Sequence, residues 1–209
     1  MSRCEPRRIR LPSGAFILLR SPEGADAGAT LAFERHMQAN NPYQVVLPGE
    51  NERSIEQQRE WIQEHLDHDG WLAVMAVAEA SPAEVIGKLM FRNNQRHARM
   101  AHHGTFGISV HADWRGKGVG TALIETLLDW AAAHPVIEKV CLGVWANNPG
   151  AQNLYKRLGF VEEGRSARHF RIGPGEYVDD IDMGIFVKPG IAPEGYRTWP
   201  HIPDRPRAR

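Results

Sequence analysis

The chain has little cysteine, no long apolar run and no excess charge of either sign, and each shortage removes a class of protein. Only Cys4 and Cys141 occur among 209 residues. They belong to no closely spaced pair, so they make neither a zinc site nor a disulfide framework. Cys141 sits in an apolar run and reads as a small buried hydrophobe. No apolar stretch approaches the roughly 18 residues that span a bilayer. The first ten residues, MSRCEPRRIR, lead into no apolar segment of the length that a secretory signal needs. Lys plus Arg is 25 and Asp plus Glu is 25, a formal net charge of +0. Binders of phosphate backbones or anionic membrane surfaces usually carry a basic excess, so the balance argues against both. A soluble cytoplasmic protein with no nucleic-acid or membrane partner is expected. Arginine runs at 3–10 and 205–209 admit a competing reading, an interaction protein working through its tails, but solvated runs explain them more simply.

What is present is ordinary globular composition, 42% hydrophobic and 24% charged, in a length suited to one domain with tails. Residues 1–10 read as a flexible N-terminus, 11–187 as the domain and 188–209 as a proline-rich tail. A first strand is expected within 11–20. Helical patterns run through 25–40 and 52–68, the second with Ile55, Trp61, Ile62 and His65 or Leu66 near one face. Strands are expected at 71–79 and 85–93, joined as a hairpin past Ser81 and Pro82, and again at 104–110. A strong helix follows at 119–134, a strand at 138–145 and a second strong helix at 148–158. Asn148 can cap that helix, Pro149 suits its first turn, and Gly159 suits the left-handed residue after its end. Segments 160–172 and 176–187 pair plausibly as a hairpin across Gly173, Pro174 and Gly175. Pro189, Pro193, Pro200, Pro203 and Pro206 bar the tail from continuing a sheet, leaving it extended or packed on the surface. The order β-α-α-β-β-β-α-β-α-β-β predicts an α+β fold: a mixed, mostly antiparallel sheet of about seven strands flanked by about four helices.

The most informative segment is RGKGVG at 115–120, after a strand and at the start of a helix. Glycines let backbone amides turn inward and let a bulky anion approach. The first helical turn has unpaired amides and a partial positive charge. Together these make a pyrophosphate cradle, to which Arg115 and Lys117 can add charge. A tight connection explains such a turn about equally well. A P-loop is excluded, because no Gly-Lys-Ser or Gly-Lys-Thr occurs. A dinucleotide fingerprint is excluded because the third glycine comes one residue early.

Residues 110–120, VHADWRGKGVG, resemble motif A of the GNAT superfamily of N-acetyltransferases, with Arg115, Gly118 and Gly120 at its signature positions. Asn148, Ala151, Leu154, Tyr155, Gly159 and Phe160 resemble a second motif of that family, one helix and one strand downstream. Residues 175–183 resemble the closing hairpin of its ribosomal-protein-acetyltransferase-like and diamine-acetyltransferase-like branches. The resemblance implies a sheet splayed between the fourth and fifth strands, 104–110 and 138–145. It implies acetyl-CoA as co-substrate, no metal, an amine acceptor and a homodimer. Backbone groups of Ile108 and Val110 would bind pantetheine, and Asn148 would reach it from the next helix. The amides of Arg115, Gly116, Lys117, Gly118, Val119, Gly120 and Thr121 would hold the pyrophosphate. The amide of Val110 would face the oxyanion. Tyr155 would border the thioester and protonate the leaving thiolate, where a residue met outside this motif would simply be a packed core tyrosine.

The general base stays open. Many relatives carry a glutamate in the strand before motif A, where this chain has Thr105. His102 and His103 are adjacent and have a suitable pKa, although a polar strand entry explains them as well. Glu84, Ser109, Asp179 and Asp180 are weaker candidates, and a water chain is an equal one. His97, His102 and His103 cluster without cysteine partners or a His-x-x-x-His helix, which argues against a metal. Trp114 is placed to shield the pyrophosphate turn. The acidic run Glu176, Asp179, Asp180 and Asp182 would suit a cationic acceptor. Retention of a CoA cleft for sensing acyl-CoA, without chemistry, is the competing class. Tyr155 together with Gly118 and Gly120 favours the enzyme.

Overall fold

A computed structural model describes residues 3–93 and 97–200. Pro203, Pro206 and the run at 205–209 lie outside them. Twelve elements follow in order: β1 (Arg7–Arg10), β2 (Phe16–Arg20), α1 (Ala27–Asn40), α2 (Ile55–Asp67), β3 (Trp71–Ala78), β4 (Ser81–Asn93), β5 (His103–Val110), α3 (Val119–Ala133), β6 (Lys139–Trp145), α4 (Pro149–Arg157), β7 (Val161–Gly173) and β8 (Glu176–Phe186). The hydrogen-bonded strand order is β1-β2-β3-β4-β5-β6-β8-β7. The α+β class and the mostly antiparallel sheet are as expected, with eight strands in place of about seven. The added strand is β1, in the segment expected to be a flexible leader. Arg7 pairs with Leu19 and Arg10 with Phe16, antiparallel. Ile9 is its one buried side chain, set among exposed arginines. A single apolar residue makes no period-two pattern, so the strand is hidden in the sequence.

The chain divides into two compact units. The described residues of the first are 3–91 and 107–127. One of its clusters is Phe33, Met37, Met75, Val77 and Val85; another is Ala27, Ile62 and Leu66, with Trp61 against it. Helix α2 begins at a capping box: Ser54 Oγ accepts from the Gln57 amide, and Gln57 Oε1 accepts from the Ser54 amide. Ile55, expected on its buried face, is 51% exposed. It occupies the first helical position, a turn before the face reaches the core. Gln58 is fully buried there and donates to Thr30 Oγ1 at 3.1 Å. Glu34 joins this network through Arg53 at 2.7 Å and through Lys88. Strand β3 is buried from Leu72 to Ala78, and no such strand can alternate polar and apolar.

The described residues of the second unit are 92–93, 97–106 and 128–200. Here β6 pairs antiparallel with β8, Gly143 opposite Asp182 and Trp145 opposite Asp180. The β7–β8 hairpin closes with Gly173 opposite Glu176, across the glycine-proline-glycine turn. Strand β5 runs parallel to β6 over three pairs only, from His103 with Lys139 to Thr105 with Cys141. Val140, Leu142 and Val144 are buried and alternate with the more exposed Lys139, Cys141, Gly143 and Trp145. The tail is packed down to Pro200 rather than free. The Trp199 amide donates to Phe186 O at 2.8 Å and Trp199 Nε1 to Asp129 Oδ1 at 3.1 Å. Thr198 adds one parallel bridge to Phe186, a contact that the prolines were expected to forbid. Among the described residues no helix is long and apolar enough to cross a membrane.

Candidate functional site

In the first unit the end of β5 passes through a short 3₁₀ turn, Ala112–Trp114, into Arg115 and the glycine turn. Gly116 has φ 70° and Gly118 φ 98°, a left-handed region that favours glycine. A Cβ on Gly118 would also lie 3.1 Å from Pro12 Cδ. Ala122 is the first residue of α3 whose amide reaches a backbone acceptor, Gly118 O at 3.0 Å. Among the described residues the amides of Gly116 through Thr121 have no acceptor. Six free donors at one helix mouth form an anion cradle.

Arg115 folds back, its Nε donating to Val110 O at 3.1 Å. Lys117 Nζ lies 5.6 Å from the Trp114 ring centroid. The His111 amide donates to Ile86 O on β4 at 2.9 Å. Successive amides along an extended chain point to opposite edges, so those of Val110 and Ile108 face away from β4. Ser109 Oγ accepts from Gln44 at 3.1 Å, and Glu84 lines a separate cavity with His36 and His111. Neither is presented by that geometry as an evident base.

In the second unit Tyr155 projects from α4 and is 6% exposed. Its ring meets Phe106 edge-on at 6.0 Å and Phe160 at 5.9 Å. Burial pushes its phenol up to about 12. Among the described residues the hydroxyl has no hydrogen-bond partner, and it is absent from the sealed, unpaired polar atoms of the fold. Asn148 Oδ1 is committed as the cap of α4, accepting from the Ala151 amide at 3.1 Å, which leaves its amide nitrogen for any further partner.

A cavity of about 680 Å³ opens over β5, β6 and β8. His102, His103, Thr105, Cys141, Asp180 and Asp182 all line it. His103 stands seven positions before Val110 in β5. Burial, His102 and Lys139 hold its pKa below the ordinary histidine value. Burial pushes the Cys141 thiol up to about 11, so it is no nucleophile at neutral pH. Asp179 is occupied, accepting from the Arg168 amide at 2.8 Å. The sequence had not marked Lys139, Gly143 and Glu163 as part of any site. Their signal is the alternation of β6 and β8, which becomes readable only once the register pairs Gly143 with Asp182.

Residues 34–160 match the Acetyltransferase (GNAT) family. The L-amino acid N-acetyltransferase of Escherichia coli K12 is 29% identical over 123 residues, 59% of this chain and 73% of that one. A GNAT-family acetyltransferase from Streptococcus pneumoniae shares the fold with a TM-score of 0.75 at 24% identity, over 82% of this chain and 99% of that one. The spermidine N-acetyltransferase of Vibrio cholerae, in complex with CoA and spermine, gives 0.64 at 25% identity, over 81% and 95%. The chain belongs to the acetyltransferase (GNAT) family. It is an acyltransferase, and its reaction is acetyl-CoA-dependent N-acetylation.

Proposed function

We propose that this chain acetylates a primary amine of a small molecule or a protein N-terminus by direct attack of the neutral amine on the thioester of acetyl-CoA. The observation that carries this reading is the run of free amides from Gly116 to Thr121, held open by two left-handed glycines. In it those amides bind the pyrophosphate, with Lys117 adding charge; the Arg115 amide, expected to join them, donates to Ala112 O at 3.2 Å and closes the 3₁₀ turn. The backbone of Ile108 and Val110 holds the pantetheine arm, and Asn148 contributes from α4. The Val110 amide donates to the carbonyl oxygen as it gains charge. The amine nitrogen forms the new C–N bond, the C–S bond breaks, and the proton lost by nitrogen balances the one gained by sulfur. The Tyr155 hydroxyl donates to that sulfur. An alkyl ammonium has a pKa of about 10.4, so a base or a desolvating site must first take one proton. His103, which opens β5, and His102, the candidate bases of the sequence, stand seven and eight residues before Val110, about 23 Å or more along the strand, so the proton leaves through water rather than directly to either ring. The acetyltransferase domain is taken as 11–187. The reading extends to a cytoplasmic homodimer, as the family resemblance implies.

Calorimetric titration with CoA and acetyl-CoA, followed by thiol-release assays with primary amines, tests it. Binding of both and amine-dependent release are expected. No heat with either ligand would remove the basis of the reading.

A further inference from the structure

We propose that His111 is a positioning residue for the pyrophosphate turn: its neutral imidazole caps the 3₁₀ turn that leads into the glycines, and protonating it weakens the hold on CoA. The inference rests on the acetyltransferase reading above and adds to it one residue and a pH signature.

The backbone amides change partners at His111. Just past Val110, the His111 amide still binds the sheet, donating to Ile86 O at 2.9 Å. The Asp113 amide donates to His111 Nδ1 at 3.3 Å and the Trp114 amide to His111 O at 2.9 Å. The Arg115 amide donates to Ala112 O at 3.2 Å. From Gly116 to Thr121 the amides have no acceptor among the described residues. His111 thus supplies two of the three acceptors in the turn that aims the chain into the cradle, one of them its side chain. Capping of this kind usually falls to Ser, Thr, Asp or Asn, none of which titrates near neutral pH.

The cap fixes the charge on the ring. A backbone amide only donates, so His111 Nδ1 must keep its lone pair, and the ring is the neutral tautomer protonated at Nε2. His36 on α1 stacks against it, with centroids 4.4 Å apart and 18° between the planes. Asn40 Nδ2 lies 3.4 Å from His36 Nδ1 and donates to His36 O at 2.9 Å. An amide nitrogen also only donates, so His36 Nδ1 is an acceptor too. Histidine is the side chain that changes charge between pH 5 and 8. Protonation of His111 at Nδ1 removes the acceptor of the Asp113 amide. Protonation of both rings sets two like charges face to face.

The charged groups around the rings do not reverse this. Asp113 Oδ2 lies 3.7 Å from His111 Nδ1, and Glu84 of β4 lines the same cavity as both rings. Both acids favour a charged ring, but both are exposed, where such attraction is worth little. Arg115, bonded through Nε to Val110 O, sets a positive charge against it. A histidine acting by its charge would instead draw the diphosphate more strongly as it protonates. The direction of the pH effect therefore separates a cap from a cationic ligand.

The test is calorimetric Kd of the full chain for CoA at pH 8 and pH 5.5, in the wild type, His111→Asn and His111→Ala. Phosphate groups titrate near about pH 6, but that change is common to all three proteins. Asparagine offers an acceptor to the amide two residues on and carries no charge. At pH 8 the alanine variant should bind about fivefold more weakly than the wild type, the loss expected for a cap, with asparagine restoring affinity to within about twofold. At pH 5.5 the wild type should bind about fivefold more weakly than His111→Asn. Melting curves at each pH identify a variant that fails to fold; if alanine does, the wild-type-to-asparagine ratio still decides. A ratio that does not change with pH overturns the proposal. So does a wild type that gains on asparagine in acid, or a folded alanine variant that binds as tightly as the wild type at pH 8. In each of these cases CoA binding leaves the acetyltransferase reading standing, whereas no heat with CoA at either pH overturns both.

Discussion

Replacing Tyr155 with phenylalanine removes one oxygen and separates catalysis from stability. The ring contacts with Phe106 and Phe160 survive the change. The hydroxyl loses no partner, because among the described residues it has none. Stability should therefore hold within about 1 kcal/mol, since the ring keeps its packing and no hydrogen bond within the protein is lost. Catalysis should behave oppositely. A phenol raised to about 12 is fully protonated across any neutral assay, so it is always a donor. Its full proton is not readily surrendered to a thiolate whose thiol titrates near about 8.5. The hydroxyl then works chiefly as a hydrogen-bond donor to sulfur as charge develops there. Such a bond to a charged atom is worth about 1.5–3 kcal/mol, or roughly 10- to 150-fold in kcat. Steady-state kinetics with a saturating amine reads kcat, and calorimetry with acetyl-CoA reads affinity. Kcat should fall by that factor, with Kd and Tm nearly unchanged. Unchanged kcat would remove Tyr155 from the chemistry, and a large loss of Tm would assign it to packing.

Gly118→Ala should strain the turn, because an L-residue at φ 98° costs about 1–2 kcal/mol and its Cβ would press on Pro12. Kd for CoA measured by calorimetry should rise at least about tenfold, with Tm lower by a few degrees; an unaltered Kd would refute the cradle. Burial pulls the Glu34 pKa upward, but Lys88 and Arg53 outweigh it and leave it below the ordinary value. Stability from this group is thus full above the unfolded carboxylate pKa of about 4.3 and is lost as pH falls through the lower folded value. Glu34→Gln should cost roughly 2 kcal/mol at neutral pH and flatten the decline of Tm below that pH; a melting series from pH 7 to 3 on both proteins checks it.

Local chemistry made much of the frame legible. The cap at Asn148, the proline after it and the left-handed Gly159 act within a few residues, so α4 could be placed from sequence. The same holds for the hairpin at 173–175 and the glycine turn before α3. These features depend on dihedral preference and on amides next to one another in the chain, which tertiary context modifies little. Strand β1 was hidden because its stability comes from β2, not from its own four residues. Ile55 faced solvent although its spacing suited the core, because burial depends on what a helix packs against. The pairing of Gly143 with Asp182, the unpaired oxygen of Asp180 and the capture of Lys139 by Glu163 were decided by register alone. Segments distant in sequence meet there, and the electrostatic field of a cavity is the sum over all of them.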